Sequence, residues 1–336
     1  MKIGVIGAGS MGKNHVRILM SMPDIDLSIS DLHEDNLDLT ANKFGVTKKY
    51  SDYLNLLENE RPDGVVIATQ PGTHKEISLE AFSRGINVLV EKPLALNVNE
   101  AIEIIQSAEK GGCILTVGHV ERFNPVVSKI KEFQEQKQLT NIYLINTHRV
   151  GPFPKRLIGQ AEGVMIDLAV HDFDIISYFG GNFKSIQSSQ IIKSNNQEIY
   201  VKTLINLESG IKASAEFSWI SPKMVRSIEL YGDEGMVFGD YYNQEVWFYE
   251  NDDFDNLSKN HEPFFRNGLI KSGKIIKYPM YKQEPLLLEL TNFINAIKKT
   301  EKVLVKPEEA LNALINSLSV FKINDEQEST VTKENK

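Results

Sequence analysis

The sequence predicts an α/β protein with two domains: a doubly wound (Rossmann) parallel sheet, then an α+β domain with a large, mostly antiparallel open-faced sheet. Two observations carry this prediction. Over the first 120 residues, short apolar runs alternate with amphipathic stretches, which is typical of a parallel sheet covered by helices on both faces. Further along, strand-like runs follow one another without helices between them, as in an antiparallel sheet.

The first predicted domain covers residues 1–120. Its strands are short and rich in Val, Ile and Leu: Lys2–Ile6, Leu27–Asp31, Gly64–Ala68, Asn87–Val90 and Ile114–Val117. Helical stretches are predicted between and after them, near residues 10–22, 34–44, 51–59, 73–84 and 98–111. This regular spacing predicts βαβ units.

The second predicted domain covers residues 121–324. Its predicted helices are 121–138, 163–179, 284–299 and 307–322, and its predicted strands are 183–192, 198–207, 211–220, 226–231, 236–241 and 245–249. The polar tail, 325–336, is expected to fray.

Composition narrows the class of protein. The 336 residues suffice for two cores, and a net charge of −8 argues against a nucleic-acid surface. The single cysteine, Cys113, excludes a disulfide framework within one chain and offers no cysteine-based metal site. No apolar run approaches the roughly 20 residues that span a bilayer, and no signal peptide is evident. We therefore expect a cytoplasmic protein without a membrane or metal partner.

A glycine-rich turn, Gly7-Ala8-Gly9-Ser10-Met11-Gly12, follows the first strand and opens a helix. In this context Gly7 makes the tight turn, Gly9 lets the backbone approach a pyrophosphate, and Gly12 allows close helix–strand packing. The helix N-terminus then offers free N–H groups to the phosphates. The turn predicts a dinucleotide cofactor.

Asp31 ends the next strand, where a carboxylate can accept hydrogen bonds from the ribose hydroxyls and repel a 2′-phosphate. No Arg or Lys follows closely, so NAD is favoured over NADP. The alternative is that Asp31 only caps the helix beginning near Glu34.

Three further segments carry a family resemblance: Ile67-Ala68-Thr69 with His74, Glu91-Lys92-Pro93, and Gly163-x3-Asp167-x3-His171-x2-Asp174. Together they resemble the Gfo/Idh/MocA oxidoreductases. The resemblance implies catalytic or substrate-binding roles for Lys92, Asp167 and His171. Many members have Thr-Pro-Asn where this chain has Thr69-Gln70-Pro71, which weakens the inference for Gln70. The residues expected to bind NAD are Gly7, Gly9, Ser10, Met11, Gly12, Asp31, Ala68, Thr69, Gln70, His74, Glu91 and Lys92.

The chemistry of these residues suits oxidation of an alcohol. A Lys92 ammonium past the carboxyl end of a parallel strand can stabilise alkoxide character, and His171 can take a proton near neutral pH. Asp167 can accept from a sugar hydroxyl, and Asp174 can orient His171. Which of Lys92 and His171 acts as the base stays open. An exposed lysine after a strand and a helix-stabilising Asp/His pair are the alternatives.

Substrate candidates lie between residues 118 and 156. Gly118-x3-Arg122-Phe123-Asn124-Pro125 resembles the family's nucleotide-sugar dehydrogenases, especially those acting on UDP-N-acetylglucosamine at C3, and implies that Arg122 and Asn124 face the sugar. Arg149, Lys155 and Arg156 cluster in an acidic chain, as a diphosphate requires, and Phe153 can stack on a base. The alternatives are an ion pair between domains for Arg122 and a surface or subunit-contact loop for the cluster.

The resulting hypothesis is NAD-dependent oxidation of UDP-N-acetylglucosamine to its 3-keto derivative. A dehydrogenase of a free polyol such as inositol, or an NAD-bound sensor without turnover, are the alternatives. The open-faced sheet, with Trp219 and Trp247, and the family resemblance predict a homodimer or homotetramer.

Overall fold

The computed structural model describes residues 1–154, 163–194, 197–251 and 273–334. The chain divides into two compact units. The first comprises Met1–Phe123 and Gln283–Leu318, and the second Asn124–Lys282 and Ser319–Lys336.

Labels follow chain order within the described residues. The strands are β1 Lys2–Ile6, β2 Asp26–Ser30, β3 Lys48–Tyr50, β4 Gly64–Ile67, β5 Asn87–Glu91, β6 Leu115–Gly118, β7 Leu144–Pro152, β8 Phe183–Ser194, β9 Gln197–Leu207, β10 Lys212–Ser218, β11 Ile220–Gly232, β12 Gly235–Asp240, β13 Glu245–Glu250 and β14 Ile275–Tyr278. The α-helices are α1 Ser10–Ser21, α2 Glu34–Phe44, α3 Tyr53–Glu60, α4 His74–Ser83, α5 Val98–Gly111, α6 Pro125–Glu135, α7 Val170–Gly180, α8 Pro285–Ile297 and α9 Pro307–Glu334.

The sheet of the first unit is parallel throughout, with strand order β3-β2-β1-β4-β5-β6. The order reverses between β1 and β4, and ligands of such sheets bind outside the carboxyl ends of the strands at this point. The predicted Rossmann fold is therefore confirmed, with β3 as an additional edge strand.

Two apolar layers cover this sheet. Ile3 and Val5 of β1 belong to a core that also contains Leu290 and Phe293 of α8. The predicted domain boundary was therefore wrong for residues 283–318: the apolar face of α8 packs on the first sheet, although the chain reaches it only after the second domain.

The second unit contains an eight-stranded sheet of order β14-β13-β12-β11-β7-β10-β9-β8. Among the strands that the structure describes here, only the β10–β7 pair is parallel, so the predicted mostly antiparallel sheet is confirmed. Helices α6 and α7 contribute Ile130, Phe133 and Phe173 to its core. The Phe173 ring meets that of Phe217 edge to face, with centroids 5.6 Å apart.

Two local predictions change. The segment predicted as one helix over 163–179 begins with a π-helical turn, Met165–Ala169, before α7. The last predicted helix, 307–322, continues as α9 through Glu334. The fraying expected of residues 325–336 stays a prediction.

Candidate functional site

The glycine turn closes tightly against the end of β4. Gly7 has φ +97°, and a Cβ there would lie 2.7 Å from the carbonyl of Ala68. The Gly7 N–H donates to the carbonyl of Ser30 at 2.8 Å. Glycine is therefore required at this position both for its left-handed backbone and for the close approach of Ala68.

The other two glycines of the turn differ in the space available for a side chain. A Cβ at Gly12 would lie 1.8 Å from the carbonyl oxygen of Gly7, whereas a Cβ at Gly9 would meet nothing within 4 Å. Helix α1 begins at Ser10 without a side-chain cap and without an acidic residue in its first turn. Open space beside Gly9 and uncapped N–H groups form a cradle that fits the pyrophosphate of NAD.

Asp31 lies just after β2, and its carboxylate is held by the backbone. Its Oδ2 accepts from the Ala8 N–H at 2.6 Å, and its Oδ1 accepts from the His33 N–H at 2.8 Å. These bonds fix the carboxylate against the glycine turn. The sequence predicts that the ribose hydroxyls of NAD bind there. Helix α2 has no side-chain N-cap, so the alternative role of Asp31 as its cap is not seen.

His74 joins two loops of this sheet edge. Its Nδ1 lies 3.0 Å from the carbonyl oxygen of Pro93, and its Nε2 lies 3.3 Å from that of Thr69. The ring is fully buried, and burial lowers its pKa despite these carbonyl contacts. His74 thus supports the Thr69 loop, which favours an indirect role, and its predicted contact with the cofactor stays untested. Ala68, Thr69 and Gln70 keep exposed surface.

The Glu91-Lys92-Pro93 segment follows β5, and its Lys92–Pro93 bond is cis. Glu91 is buried, with Oε1 2.7 Å from His15 Nε2 and Oε2 accepting from the Lys92 N–H at 3.3 Å. Burial raises the pKa of Glu91, but the His15 hydrogen bond and the charges of His15, Lys92 and His74 outweigh it, leaving a net lowering. Glu91 thus supports the loop from within. Lys92 is half-buried, so its charged side chain keeps some exposure to solvent.

The Asp167–His171 segment lies in the second unit. Asp167 is in the π turn and is 2% exposed, whereas His171 is half-buried in the first turn of α7. Asp174 is buried one turn further along. π turns are frequent at functional sites, so the π turn at Asp167 favours a functional role for this segment.

Glu198 of β9 fits into the space that Gly163 leaves. A Cβ at Gly163 would lie 2.0 Å from the Glu198 carboxyl carbon, and Glu198 Oε1 accepts from the Met165 N–H at 3.3 Å. Burial raises the pKa of Glu198. This side chain caps the start of the π turn. Its role is not evident from the sequence, where the glycine that opens the Gly163 motif is the available signal.

Arg149 lies on β7 and points into the unit. It is 3% exposed, and its Nε and Nη2 donate to Asp172 Oδ1 at 3.1 and 2.8 Å. Its guanidinium carbon also lies 5.7 Å from the centre of the Tyr241 ring. These contacts favour an internal role, in which Arg149 holds α7, and the predicted phosphate contact stays untested.

Arg122 and Asn124, which are also predicted to contact the substrate, have internal partners. In the first unit, Arg122 is buried with Nη1 3.6 Å from Glu309 Oε2. In the second, Asn124 accepts from the Val126 N–H at 3.1 Å, capping α6, and donates to the Tyr241 carbonyl at 3.2 Å. These contacts favour structural roles over the predicted sugar contacts, which stay untested. Lys155 and Arg156 lie outside the described residues.

Within the described ranges, no helix is long and apolar enough to cross a membrane, and no group of three His, Cys, Asp or Glu side chains is arranged to hold a metal.

Comparison with known proteins agrees with this geometry. Residues 1–119 match the Gfo/Idh/MocA oxidoreductase family with its NAD-binding Rossmann fold, and residues 127–238 match the C-terminal domain of the same family. The myo-inositol 2-dehydrogenase of Thermotoga maritima is 27% identical over 99% of both chains. The scyllo-inositol 2-dehydrogenase (NAD(+)) of Bacillus subtilis is 28% identical over 71% of this chain and 73% of its own.

A solved structure has the same fold. The UDP-N-acetylglucosamine 3-dehydrogenase of Acidithiobacillus ferrooxidans superposes with a TM-score of 0.81 at 21% identity, covering 95% of this chain and 96% of that chain. The glycine cradle, the Lys92 loop and the two matching domains together identify the chain as an NAD-binding oxidoreductase of the Gfo/Idh/MocA family.

Proposed function

We propose that this protein oxidises a secondary ring alcohol of a sugar or polyol with NAD as the hydride acceptor. The observation that carries the proposal is the placement of half-buried Lys92 directly after β5, in a sheet whose β1 end carries the open cradle at Gly9. In open α/β sheets these strand ends are where cofactor and substrate meet.

The residues of the chain supply binding and proton handling. Bound NAD would supply the hydride acceptor for the alcohol carbon. The Lys92 ammonium donates a hydrogen bond to the reacting hydroxyl and stabilises negative charge as its proton leaves. When Lys92 is the ammonium, the hydroxyl proton passes to His171; when Lys92 is the neutral amine, it accepts the proton itself and becomes the ammonium. We assign to Asp167 a hydrogen bond from a substrate hydroxyl.

The substrate we put first is UDP-N-acetylglucosamine, oxidised at C3. What supports this choice is the sequence resemblance of the Arg122-Phe123-Asn124-Pro125 segment to nucleotide-sugar dehydrogenases, together with the fold shared with the Acidithiobacillus enzyme. A free inositol is an equally supported second candidate, because both curated relatives named above are inositol dehydrogenases. With Arg149 engaged by Asp172, the predicted diphosphate contact depends on Lys155 and Arg156.

Purified protein should be incubated with NAD and a panel of UDP-sugars, free sugars and polyols while NADH absorbance is followed. Turnover confined to UDP-N-acetylglucosamine supports the first candidate, and turnover with a free inositol supports the second. An added electron acceptor that reoxidises bound NADH guards against tight product retention. If the protein binds NAD but turns over no compound even when the electron acceptor is present, the sensor alternative is favoured.

The diphosphate contact has its own test. For a UDP-sugar substrate, replacing Lys155 and Arg156 by Gln should raise the KM for the sugar by about tenfold or more, because charge-assisted bonds to phosphate are lost, and should leave the KM for NAD unchanged. The matched control replaces exposed Lys184 and Lys202 by Gln. Equal effects on sugar and NAD, or equal effects in the control, would contradict the assignment.

A further inference from the structure

Three titratable side chains are buried together beside the Lys92 loop in the first unit. They are His15 of α1, Glu91 of β5 and Glu289 of α8, which are 0%, 7% and 2% exposed. Burying three such groups costs free energy unless their charges are paired or neutralised and their polar atoms are hydrogen-bonded, so their association requires an explanation.

Glu91 is the centre of the group. Its two oxygens have separate partners, His15 Nε2 at 2.7 Å and the Lys92 N–H at 3.3 Å. Gly118 of β6 makes room for it, since a Cβ there would lie 3.0 Å from Glu91 Oε2. Because a carboxylate accepts only, His15 donates from Nε2, and Glu91 connects α1 directly to the backbone of Lys92.

Glu289 is the third buried member of the group, and it interacts electrostatically with Glu91. Among the described residues, neither of its carboxyl oxygens has a hydrogen-bond partner, and its one electrostatic neighbour is Glu91. Its helix is anchored by Leu290 and Phe293 in the apolar core. A merely structural position there would favour a leucine, which has no polar atoms to bury.

We propose that Glu289 and His15 are positioning residues that act on Lys92 through Glu91. His15 holds Glu91 by its hydrogen bond, and Glu289 stays a neutral acid, so that the group carries a single carboxylate charge behind the Lys92 backbone. An ionised Glu289 would repel Glu91 and loosen the loop. This inference rests on the proposed role of Lys92.

The electrostatics agree with this division. Burial raises the pKa of Glu289 well above its ordinary value, and the charge of Glu91 raises it further. The other charged or titratable groups that act on Glu91 are His15, Lys92 and His74. Burial and the neighbouring charge therefore favour the neutral acid at Glu289, whereas the contacts of Glu91 favour its ionised form.

The first test needs no substrate. Since Glu289 binds its proton more tightly in the folded than in the unfolded chain, its stabilising contribution is complete below the unfolded pKa and is lost as pH rises through the folded pKa. The Tm of the wild type should therefore fall relative to that of Glu289→Gln between pH 5 and pH 9, by about 2–4 °C or more. Exposed Glu284→Gln, just before the same helix, is the control. A difference that does not change with pH would overturn the neutral-acid assignment.

The second test measures the action on Lys92, again without substrate. The rate at which a small acylating reagent labels Lys92 in the full-length protein is followed by mass spectrometry, with Lys75, which is also half-buried, as the internal reference. Glu289→Leu should change the labelling of Lys92 several-fold, whereas Glu289→Gln should match the wild type. Equal labelling in all three proteins would overturn the positioning role, whatever the substrate is.

Turnover adds a third readout once a substrate is known. Glu289→Leu should lower kcat by about tenfold or more and move the pH profile without changing NAD affinity, because a displaced catalytic group slows the chemical step. Glu289→Gln should restore most of the rate. A Leu variant with the wild-type kcat and profile would overturn the proposal.

Discussion

In the first unit Lys92 directly follows a parallel strand, and its loop is held by Glu91 and by the His74 ring between two carbonyls. In the second unit Asp167 lies in a π turn that starts beside the Glu198 carboxylate, and the helix after it is held by the Arg149–Asp172 pair. The backbone of a regular sheet determines the position of Lys92. Buried polar side chains from distant strands determine the position of Asp167.

This difference predicts different responses to substitution. A change at Lys92 removes a functional group from a frame that is independently stable, so it should affect chemistry more than folding. A change at Arg149 or Gly163 disturbs the frame itself, so stability should respond first.

Replacing Lys92 by Met should have the largest effect on the reaction. The variant keeps most of the apolar stem but loses the ammonium, and kcat should fall by about 10²–10⁴-fold, as is usual for a lost acid–base group. NAD affinity should change little, because the cradle at Gly9 is intact. Steady-state kinetics with the substrate found above and calorimetric NAD titration measure both, and Lys75→Met is the matched control. A drop in NAD binding as large as the drop in kcat would mean that Lys92 mainly holds the cofactor.

Replacing Arg149 by Met should instead destabilise the fold. The change leaves the buried Asp172 carboxylate without its guanidinium partner, which typically costs about 3–5 kcal/mol of the free energy of unfolding. Denaturant unfolding measures this loss. The control is Lys277→Met, which breaks an exposed pair with Glu245 in the same sheet and should cost less than about 1 kcal/mol.

The predicted outcome for Arg149 can be contradicted directly. If Arg149→Met keeps wild-type stability but raises the KM for a UDP-sugar, Arg149 contacts the substrate as the sequence analysis first predicted. Loss of stability with an unchanged KM in the folded fraction would support the internal ion pair.

The sequence predicted the first unit well because its signals are local. Short apolar strands, a glycine turn with one defined spacing and a carboxylate at Asp31 all follow from backbone requirements within a few residues. The strand missed there, β3, has only three residues, Lys48–Tyr50, and no apolar run. Helix α8 was assigned to the wrong domain because the order of elements along the chain does not reveal which core an amphipathic helix covers.

The second unit was harder to predict because polar residues occupy buried positions. Strand β7 was missed since its inward positions include Thr147 and Arg149 as well as Ile145, which hides the apolar alternation. The same segment was therefore interpreted as a cationic loop. Glu198 and Glu289 gave no warning either, because a single glutamate in a strand or helix is usually exposed.

The smallest effect on stability is expected for a substitution at Gly163. This substitution tests whether side-chain packing determines the conformation of the Asp167 turn. A methyl group there overlaps the Glu198 carboxylate, so Gly163→Ala should lower the free energy of unfolding by about 1–3 kcal/mol, as overpacking usually does. Gly151→Ala is the control in the same unit, since its Cβ would meet nothing closer than 3.8 Å.

Removing the obstructing side chain should relieve the clash. In a Glu198→Ala background, Gly163→Ala should cost less than it does alone, and the difference measures the coupling between the two positions. Equal costs in both backgrounds would mean that Glu198 moves aside freely. The Asp167 turn would then be set by its own backbone, like the Lys92 loop, and the contrast between the two units would disappear.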